Sequence, residues 1–186
     1  EYVKFLWSDD LIDEKFLEKT VPILENNNDI GFVYTKTEIF TENSQKEVYR
    51  LGETGKYESN TFIEGSLIDK YNVPVSPGCG FFRRKDTIII DNIPNGFDID
   101  HSKTGAGPDL LIFLEIANKY PYIYFIDEVL SFFRSHDDSF SIANDLFREY
   151  NTAKAYFIDE NKYSQLQKKF NSLVILKELR KDLKII

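Results

Sequence analysis

Two adjacent carboxylates, Asp9 and Asp10, follow an apolar segment near the start of the chain, within Trp7-Ser8-Asp9-Asp10. Carboxylates at the carboxyl end of a strand in an α/β sheet lie where ligands usually bind, and two like charges attract a hard divalent cation. The alternative is an ordinary turn in which one aspartate caps the next helix. The position of Trp7 before the pair favours core packing over a sugar-binding role.

Asp109 is a second candidate because it follows the turn Gly105-Ala106-Gly107-Pro108 and begins a predicted helix. The positive end of the helix dipole keeps such a carboxylate ionised, so it can accept a proton or a hydrogen bond. A charge at this position also stabilises a helix by about 0.3–1 kcal/mol without any function. Taken alone, the residues favour that structural interpretation.

Arg134-Ser135-His136 is the third candidate, since it follows a predicted strand. An imidazole beside an arginine can bind a metal or contact a phosphate. The alternative is a surface turn that caps the following helix through Ser139 or Ser141. The other histidine, His101, lies in a polar stretch and is predicted to belong to a loop.

The single cysteine, Cys79, lies between two glycines, and Gly78-Cys79-Gly80 is too short to form a phosphate-binding loop. A nucleophilic cysteine would need a histidine base that the sequence does not place beside it. We therefore predict a small buried thiol. The sequence contains no P-loop, nucleophile elbow, dinucleotide-binding glycine motif or paired zinc-binding cysteines.

Strands and helices alternate around these candidates. Strands are predicted over residues 2–7, 30–34, 80–83, 122–125 and 129–134, with a polar hairpin-like excursion reaching about residue 57. Helices are predicted over residues 13–25 with Asp13 as N-cap, over 61–69 and 109–118, and in two stretches after Ser141 that meet near residues 159–161. This alternation predicts an α/β layer architecture with a mixed sheet flanked by helices.

The composition of the chain argues against several classes of protein. The chain has 186 residues, a formal net charge of −8 and 42% hydrophobic residues, which suit one domain with a real core. Its acidic charge argues against nucleic-acid binding, and no apolar run approaches a membrane span. The single cysteine fits a reducing compartment, so we expect a cytoplasmic location. A strand at residue 2 and the absence of methionine predict a fragment whose upstream portion is absent.

The candidate motifs also occur in a familiar order. They are Ser8-Asp9-Asp10 after a strand, the stretch from Pro77 to Arg84, Gly107-Pro108-Asp109 at a helix start, and Phe133-Arg134-Ser135-His136. This order and spacing resemble the second half of family 2 glycosyltransferases of the GT-A fold, particularly bacterial enzymes of polysaccharide synthesis. The resemblance covers roughly residues 1–142.

The resemblance implies a role for each motif. Asp9 and Asp10 would hold Mg²⁺ or Mn²⁺ against the diphosphate of a nucleotide-sugar donor. Arg134 would lie close by, and His136 would complete the metal or diphosphate site. Asp109 would be the general base that assists attack of an acceptor hydroxyl on the anomeric carbon in an inverting transfer.

The resemblance also implies which residues contact the substrate, and the chain departs from the family's pattern in two places. Gly78, Cys79 and Gly80 match the segment that lines the acceptor side of the cleft, and Trp7 is counted with them as a substrate contact. Trp7 occupies the first position of the family's acidic motif, so the ribose or metal contact from that position is lost. The family's N-terminal nucleotide-binding half is absent from this chain, which predicts poor donor binding.

Residues 143–186 are predicted to form a C-terminal helical extension of two amphipathic helices, outside the glycosyltransferase-like residues 1–142. The second helix carries several lysines and an arginine. A basic amphipathic helix can lie on an anionic membrane, here the inner face of the plasma membrane, where lipid-linked acceptors reside. The favoured alternative is a pair of helices that cover the sheet.

These inferences predict an enzyme that transfers a sugar from a nucleotide-sugar donor to a saccharide or lipid-linked acceptor with a divalent cation. A non-catalytic module that binds a glycan or a protein is the alternative from another class. Trp7 in the metal motif and the absent nucleotide half favour that alternative. A metal-dependent phosphohydrolase or nucleotidyltransferase would need more carboxylates and histidines near Asp9.

Overall fold

Seven strands and five α-helices form the described part of the chain, residues 1–87, 105–136, 146–161 and 163–183 of this computed structural model. The strands are β1 (Tyr2–Val3), β2 (Leu11–Ile12), β3 (Ile30–Phe40), β4 (Gln45–Val48), β5 (Gly55–Glu58), β6 (Gly80–Arg83) and β7 (Tyr122–Arg134). The helices are α1 (Phe16–Asn26), α2 (Ser59–Ile68), α3 (Pro108–Lys119), α4 (Phe147–Glu160) and α5 (Ser164–Leu183). Two short 3-10 turns, Pro77–Cys79 and Arg84–Asp86, flank β6.

The strands form one mixed sheet in the order β1-β6-β3-β7-β2. The long strands β3 and β7 run parallel, and every other pair is antiparallel. The outer edge of β3 pairs first with β6 and further along with β4, while the outer edge of β7 pairs first with β5 and then with β2. The predicted α/β class with a mixed sheet and flanking helices is confirmed.

Each face of the sheet has its own core, because successive side chains of a strand point to opposite faces. On β6, Phe81 joins the cluster beneath α1 and Phe82 joins the larger cluster beneath α2 and α3. On β3, Val33 and Phe32 divide in the same way. Helix α4 adds its own buried side chains to the larger cluster, including Phe157. The C-terminal helices therefore share the main core with the sheet.

Several boundaries differ from prediction for local reasons. Helix α1 begins at Phe16 rather than at Asp13, whose side chain instead accepts a 2.8 Å hydrogen bond from the Lys15 N–H in the preceding turn. The first strand pairs with the sheet only over Tyr2–Val3. The two strands predicted over 122–125 and 129–134 form the single strand β7. The register of β7 against β3 shifts between Ile126 and Val129, and this irregularity accommodates the two polar residues between them.

The remaining predicted elements are confirmed in type and place. They are the stop of the first helix at residue 26, the hairpin after residue 30, the helix near 61–69, the strand over 80–83, the helix near 109–118 and the break near 159–161. His101, Ser139 and Ser141 lie outside the described residues. Within the described ranges, no helix has both the length and the apolar character needed to span a bilayer.

Candidate functional site

The carboxyl ends of the parallel strands β3 and β7 lie side by side, with Phe40 paired to Arg134. Strand β2 pairs with the last part of β7, Leu11 opposite Phe132. Because Asp9 and Asp10 immediately precede β2, this pairing brings them to the carboxyl end of β7. The edge of an α/β sheet where parallel strands end is the usual place for a ligand.

Direct contacts join the acidic pair to the residues that follow β7. The Arg134 N–H donates to Asp10 Oδ1 at 3.1 Å, and Arg134 Nε donates to the carbonyl oxygen of Asp9 at 3.3 Å. His136 Nε2 lies 3.4 Å from Asp9 Oδ2, and both side chains are nearly half exposed. The Arg134 guanidinium lies 5.0 Å from the centre of the Phe40 ring. Four residues predicted from two distant motifs thus form one cluster, which we call the acidic-edge cluster: Asp9, Asp10, Arg134 and His136.

A partly buried lysine, Lys4, lies beside this cluster. Lys4 Nζ donates a hydrogen bond to the carbonyl oxygen of Gly78 and lies 4.6 Å from the centre of the Phe16 ring. Burial lowers the pKa of Lys4 to about 8, and the negative charge of Asp10 acts in the opposite direction. Burial likewise raises the pKa of Asp10, while its hydrogen bond from Arg134 and the charge of Lys4 lower it. Lys4 therefore links the acidic-edge cluster to the turn at residues 76–80.

The turn at residues 76–80 places its predicted substrate contacts in the interior. Cys79 is fully buried, and burial raises its thiol pKa to about 12, which confirms the predicted small buried thiol. Gly80 is buried as well. A Cβ atom on Gly78 would lie 2.9 Å from the Phe133 ring, so the backbone approaches that ring more closely than a side chain permits.

Trp7 departs from its predicted environment. Core packing was the favoured interpretation, and it is wrong, because the side chain is 47% exposed. Its indole Nε1 donates to Ser76 Oγ at 3.4 Å. A tight turn explains the exposure: the Asp10 N–H donates to the Trp7 carbonyl at 3.2 Å, which carries residues 7–10 out of the sheet.

Asp109 is held by hydrogen bonds to both of its carboxylate oxygens. Oδ1 accepts the N–H groups of Gly107 and Leu110, each at 2.8 Å, and Oδ2 accepts the Tyr150 hydroxyl at 3.0 Å. Gly107 has φ of +97°, a conformation that favours glycine. Burial raises the pKa of Asp109 to about 6, and these three hydrogen bonds act in the opposite direction. A general base is most effective when its pKa lies near the pH of the reaction, and a pKa of about 6 suits that role.

Sequence reasoning did not find Tyr150 or Tyr49, the two tyrosines around Asp109. Tyr150 belongs to α4, in the segment predicted to be a C-terminal extension. The negative charge of Asp109 contributes to a raised pKa of Tyr49, after the larger effect of burial. The only available signal was the helical pattern of residues 143–157, which does not specify which tyrosine faces Asp109.

Asp109 and the acidic-edge cluster have separate hydrogen-bond partners. The hydrogen bonds described for Asp109 go to the start of α3 and to α4, not to the acidic pair. The structure thus unites Asp9, Asp10, Arg134 and His136 and leaves Asp109 in a neighbouring cluster.

The donor atoms at the acidic edge suit part of a divalent-cation site. Neighbouring ligands at right angles on one ion, with bonds of about 2.1 Å, are about 3 Å apart. The 3.4 Å separation of Asp9 Oδ2 and His136 Nε2 is close to that spacing. In the described part of the chain, no three histidine, cysteine or acidic side chains are grouped to hold a metal ion. A cation here would need further oxygen ligands, which Mg²⁺ commonly takes from water and substrate phosphates.

Comparison with models of known protein families gives no match, and a search of curated proteins gives none either.

Proposed function

We propose that this chain is part of a metal-dependent, inverting glycosyltransferase of the GT-A type, which transfers a sugar from a nucleotide-sugar donor to an acceptor hydroxyl. The acidic-edge cluster is the observation that carries the proposal. Two carboxylates meet an arginine and a histidine from a segment more than 120 residues further along the chain, where the parallel strands β3 and β7 end. This is the chemistry that a cation-bound diphosphate needs.

Asp9 and His136 would hold the cation, and Asp10 would add negative charge beside it. When bound, the cation offsets the charge that grows on the departing nucleoside diphosphate. Arg134 is already oriented by the carbonyl of Asp9 and by the Phe40 ring, and its guanidinium is suited to a phosphate oxygen.

Asp109 would accept the proton of the attacking acceptor hydroxyl. Its pKa of about 6 leaves the carboxylate mostly ionised at neutral pH and still basic enough to take a proton. The Tyr150 hydroxyl donates a hydrogen bond that would hold Oδ2 in position, and the N–H groups of Gly107 and Leu110 hold Oδ1. Binding of the acceptor would have to compete with the Tyr150 hydrogen bond for Oδ2.

That competition favours a second candidate, a non-catalytic glycan-binding module derived from a glycosyltransferase. Both oxygens of Asp109 already accept hydrogen bonds, so the carboxylate also fits a purely structural role at the start of α3. The two candidates differ in one measurable property: only the enzyme releases nucleoside diphosphate.

The test is to incubate the full 186-residue chain with Mn²⁺, with UDP-, GDP- and dTDP-sugars and with a mixture of neutral oligosaccharides as acceptors, and to measure the nucleoside diphosphate release that depends on the acceptor. Calorimetric titration of UDP in the presence of Mn²⁺ measures donor-site binding separately. We expect Asp109→Asn to abolish turnover while leaving UDP binding within about two-fold. We expect Asp9→Asn to weaken Mn²⁺-dependent UDP binding by at least about ten-fold, because it removes a charged ligand.

Asp13→Asn is the matched control, because Asp13 lies four residues from Asp9 and its carboxylate accepts the Lys15 N–H in the turn before α1. It should leave both turnover and binding unchanged. Undiminished turnover in Asp109→Asn refutes the base assignment. Undiminished Mn²⁺-dependent binding in Asp9→Asn refutes the metal assignment, and Mn²⁺-dependent UDP binding without turnover of any donor refutes the enzyme.

A further inference from the structure

The C-terminal helix α5 has an inner face in the core and an outer face on the surface. Leu166 and Phe170 are buried and belong to the main core. A stripe of exposed side chains runs along the opposite side of the helix at helical spacing: Gln165, Lys168, Lys169, Ser172, Ile175 and Leu176. We call these six residues the outer face of α5. The outer face combines two lysines with two large apolar side chains, and it contains no acidic residue.

The two lysines of the outer face have no carboxylate partner. Within the described ranges, Lys168 and Lys169 form no ion pair, whereas Lys177 on the inner side of the same helix pairs with Asp69 at the end of α2. Lys154 of α4 lies 3.9 Å from the other carboxylate oxygen of Asp69. Asp69 therefore holds α5 against its neighbours, and the charges of Lys168 and Lys169 remain available to a partner.

The apolar residues of the outer face are exposed side by side. Ile175 is the most exposed large apolar side chain in the described part of the chain, at 56%, and the adjacent Leu176 is 53% exposed. Leu176 and both lysines also line a groove together with Ile68 of α2. Adjacent exposed apolar side chains gain hydrophobic free energy when a partner covers them. The outer face thus offers a partner both positive charge and apolar contact.

The charge of the chain is unevenly distributed along the sequence. Residues 164–186 contain six basic and two acidic side chains, whereas residues 1–163 contain 17 basic and 29 acidic side chains. The C-terminal segment is therefore positive on a chain whose net charge is −8. A basic segment of an acidic protein attracts an anionic partner to that segment, even though the chain as a whole does not.

An anionic lipid bilayer suits both groups of side chains at once. Its headgroup phosphates attract lysines, and Ile175 and Leu176 would enter the boundary between headgroups and acyl chains. The long aliphatic stems of Lys168 and Lys169 allow their ammonium groups to stay among the headgroups. Helix α5 would then lie in the plane of the bilayer surface.

Two other partners fit less well. A nucleic acid would neutralise the lysines, but its phosphate backbone offers no apolar surface to Ile175 and Leu176. A second copy of this chain in a symmetric pair would present the same face, which contains no carboxylate to receive either lysine.

We infer that the outer face of α5 is a docking surface for an anionic lipid bilayer. This inference does not rest on the proposed function, because none of the six residues belongs to the acidic-edge cluster or bonds Asp109. Binding should depend on the negative charge of the lipid and should weaken as salt screens that charge.

The test is co-sedimentation of the full 186-residue chain with vesicles of phosphatidylcholine alone or with about one third phosphatidylglycerol. We expect saturable binding to the phosphatidylglycerol vesicles in about 0.1 M salt and no measurable binding to phosphatidylcholine alone. In about 0.5 M salt, binding should be at least about ten-fold weaker. Lys168→Gln combined with Lys169→Gln should weaken binding at least about ten-fold, and Leu176→Ser at least about three-fold.

Each variant has a matched control at an exposed position. Lys15→Gln combined with Lys46→Gln removes the same charge from the start of α1 and from β4. Leu17→Ser replaces a leucine of α1 that is 51% exposed, close to the 53% of Leu176. Both controls should bind the vesicles within about two-fold of the unchanged chain. Circular dichroism should show that every variant keeps its fold.

A label at the centre of the outer face gives a second readout. Ser172→Cys can be labelled with a polarity-sensitive dye, because the only native cysteine, Cys79, is fully buried. The emission of the dye should shift to the blue with phosphatidylglycerol vesicles. The same dye on Leu17→Cys should not respond.

The inference is overturned if the chain does not bind phosphatidylglycerol vesicles, or if the double lysine variant binds them as well as its control does. It is also overturned if Leu176→Ser changes only the oligomeric state, which would assign the face to a second copy. Duplex DNA that binds as tightly as the vesicles at the same salt concentration would overturn it as well. So would release of the chain from vesicles by millimolar glycerol phosphate, because the site would then recognise the free headgroup.

Discussion

Replacing Asp109 with asparagine should stabilise the protein, and the gain should grow as the pH rises. The pKa of Asp109 is raised by burial from an ordinary value near 3.8 to about 6. The folded chain therefore binds this proton more tightly than the unfolded chain does, and it loses stability as pH increases from about 4 to about 6. Asparagine cannot ionise, so the variant does not share this loss.

The size of the effect follows from the same values. Each pH unit between the two pKa values changes the free energy of unfolding by about 1.4 kcal/mol. Because Asp109 is partly exposed, we expect the difference between variant and unchanged chain to increase by about 2–3 kcal/mol between pH 4 and pH 7. The asparagine oxygen can still accept from Gly107 and Leu110, and its amide can donate to the Tyr150 oxygen.

Urea unfolding followed by circular dichroism at pH 4, 5, 6, 7 and 8 measures this difference directly. Asp29→Asn is a control of opposite sign, because a hydrogen bond from Lys56 lowers the pKa of Asp29. That variant should become less stable relative to the unchanged chain as pH rises through the ordinary carboxyl range. A difference for Asp109→Asn that varies by less than about 0.5 kcal/mol from pH 4 to pH 8 would refute the reasoning.

Three further predictions concern the same structure. Tyr150→Phe removes the hydrogen bond donated to Asp109 Oδ2, so the pKa of Asp109 should rise above 6. NMR titration of the Asp109 carboxyl carbon measures this pKa, and an unchanged or lower value contradicts the hydrogen bond. The buried Arg83 donates hydrogen bonds to three backbone carbonyls at 2.6–2.8 Å. Arg83→Lys should therefore lower the free energy of unfolding, measured with urea, by about 2–4 kcal/mol. The control Arg84→Lys, at an exposed position, should lower it by less than about 0.5 kcal/mol. Cys79 should react with a disulfide reagent at least ten-fold more slowly in the folded chain than in urea; equal rates would contradict its burial.

The residues of the acidic-edge cluster could be singled out from sequence because each lies at or just after a segment with the pattern of a strand, although the first of these strands pairs only over Tyr2–Val3. Asp9 and Asp10 follow an apolar segment, and Arg134 and His136 lie at the end of another. In a mixed α/β sheet such strand ends tend to share one edge, so proximity was a reasonable expectation. The exact pairing, which sets β2 beside the last part of β7 and so brings the preceding acidic pair to Arg134, depends on strand register and was not encoded locally.

The environments of Trp7 and Asp109 could not be predicted, because both depend on contacts between distant parts of the chain. A tryptophan after an apolar segment is normally buried, and only the turn that bonds Asp10 to Trp7 brings it to the surface. Asp109 was recognised as a helix-start charge, but its partner Tyr150 is 41 residues away on another helix. No periodicity in either segment specifies that contact.

The parallel pairing of β3 and β7 limits the order in which the chain can fold. Ile30 pairs with Tyr122, so a loop of roughly ninety residues must close before the two central strands meet. The β3–β4 hairpin needs only a short turn and can form early. Asp10 and Arg134 are 124 residues apart and must close a still longer loop to meet, so a chain in which only the local hairpin has formed carries its two adjacent carboxylates without their arginine and histidine partners.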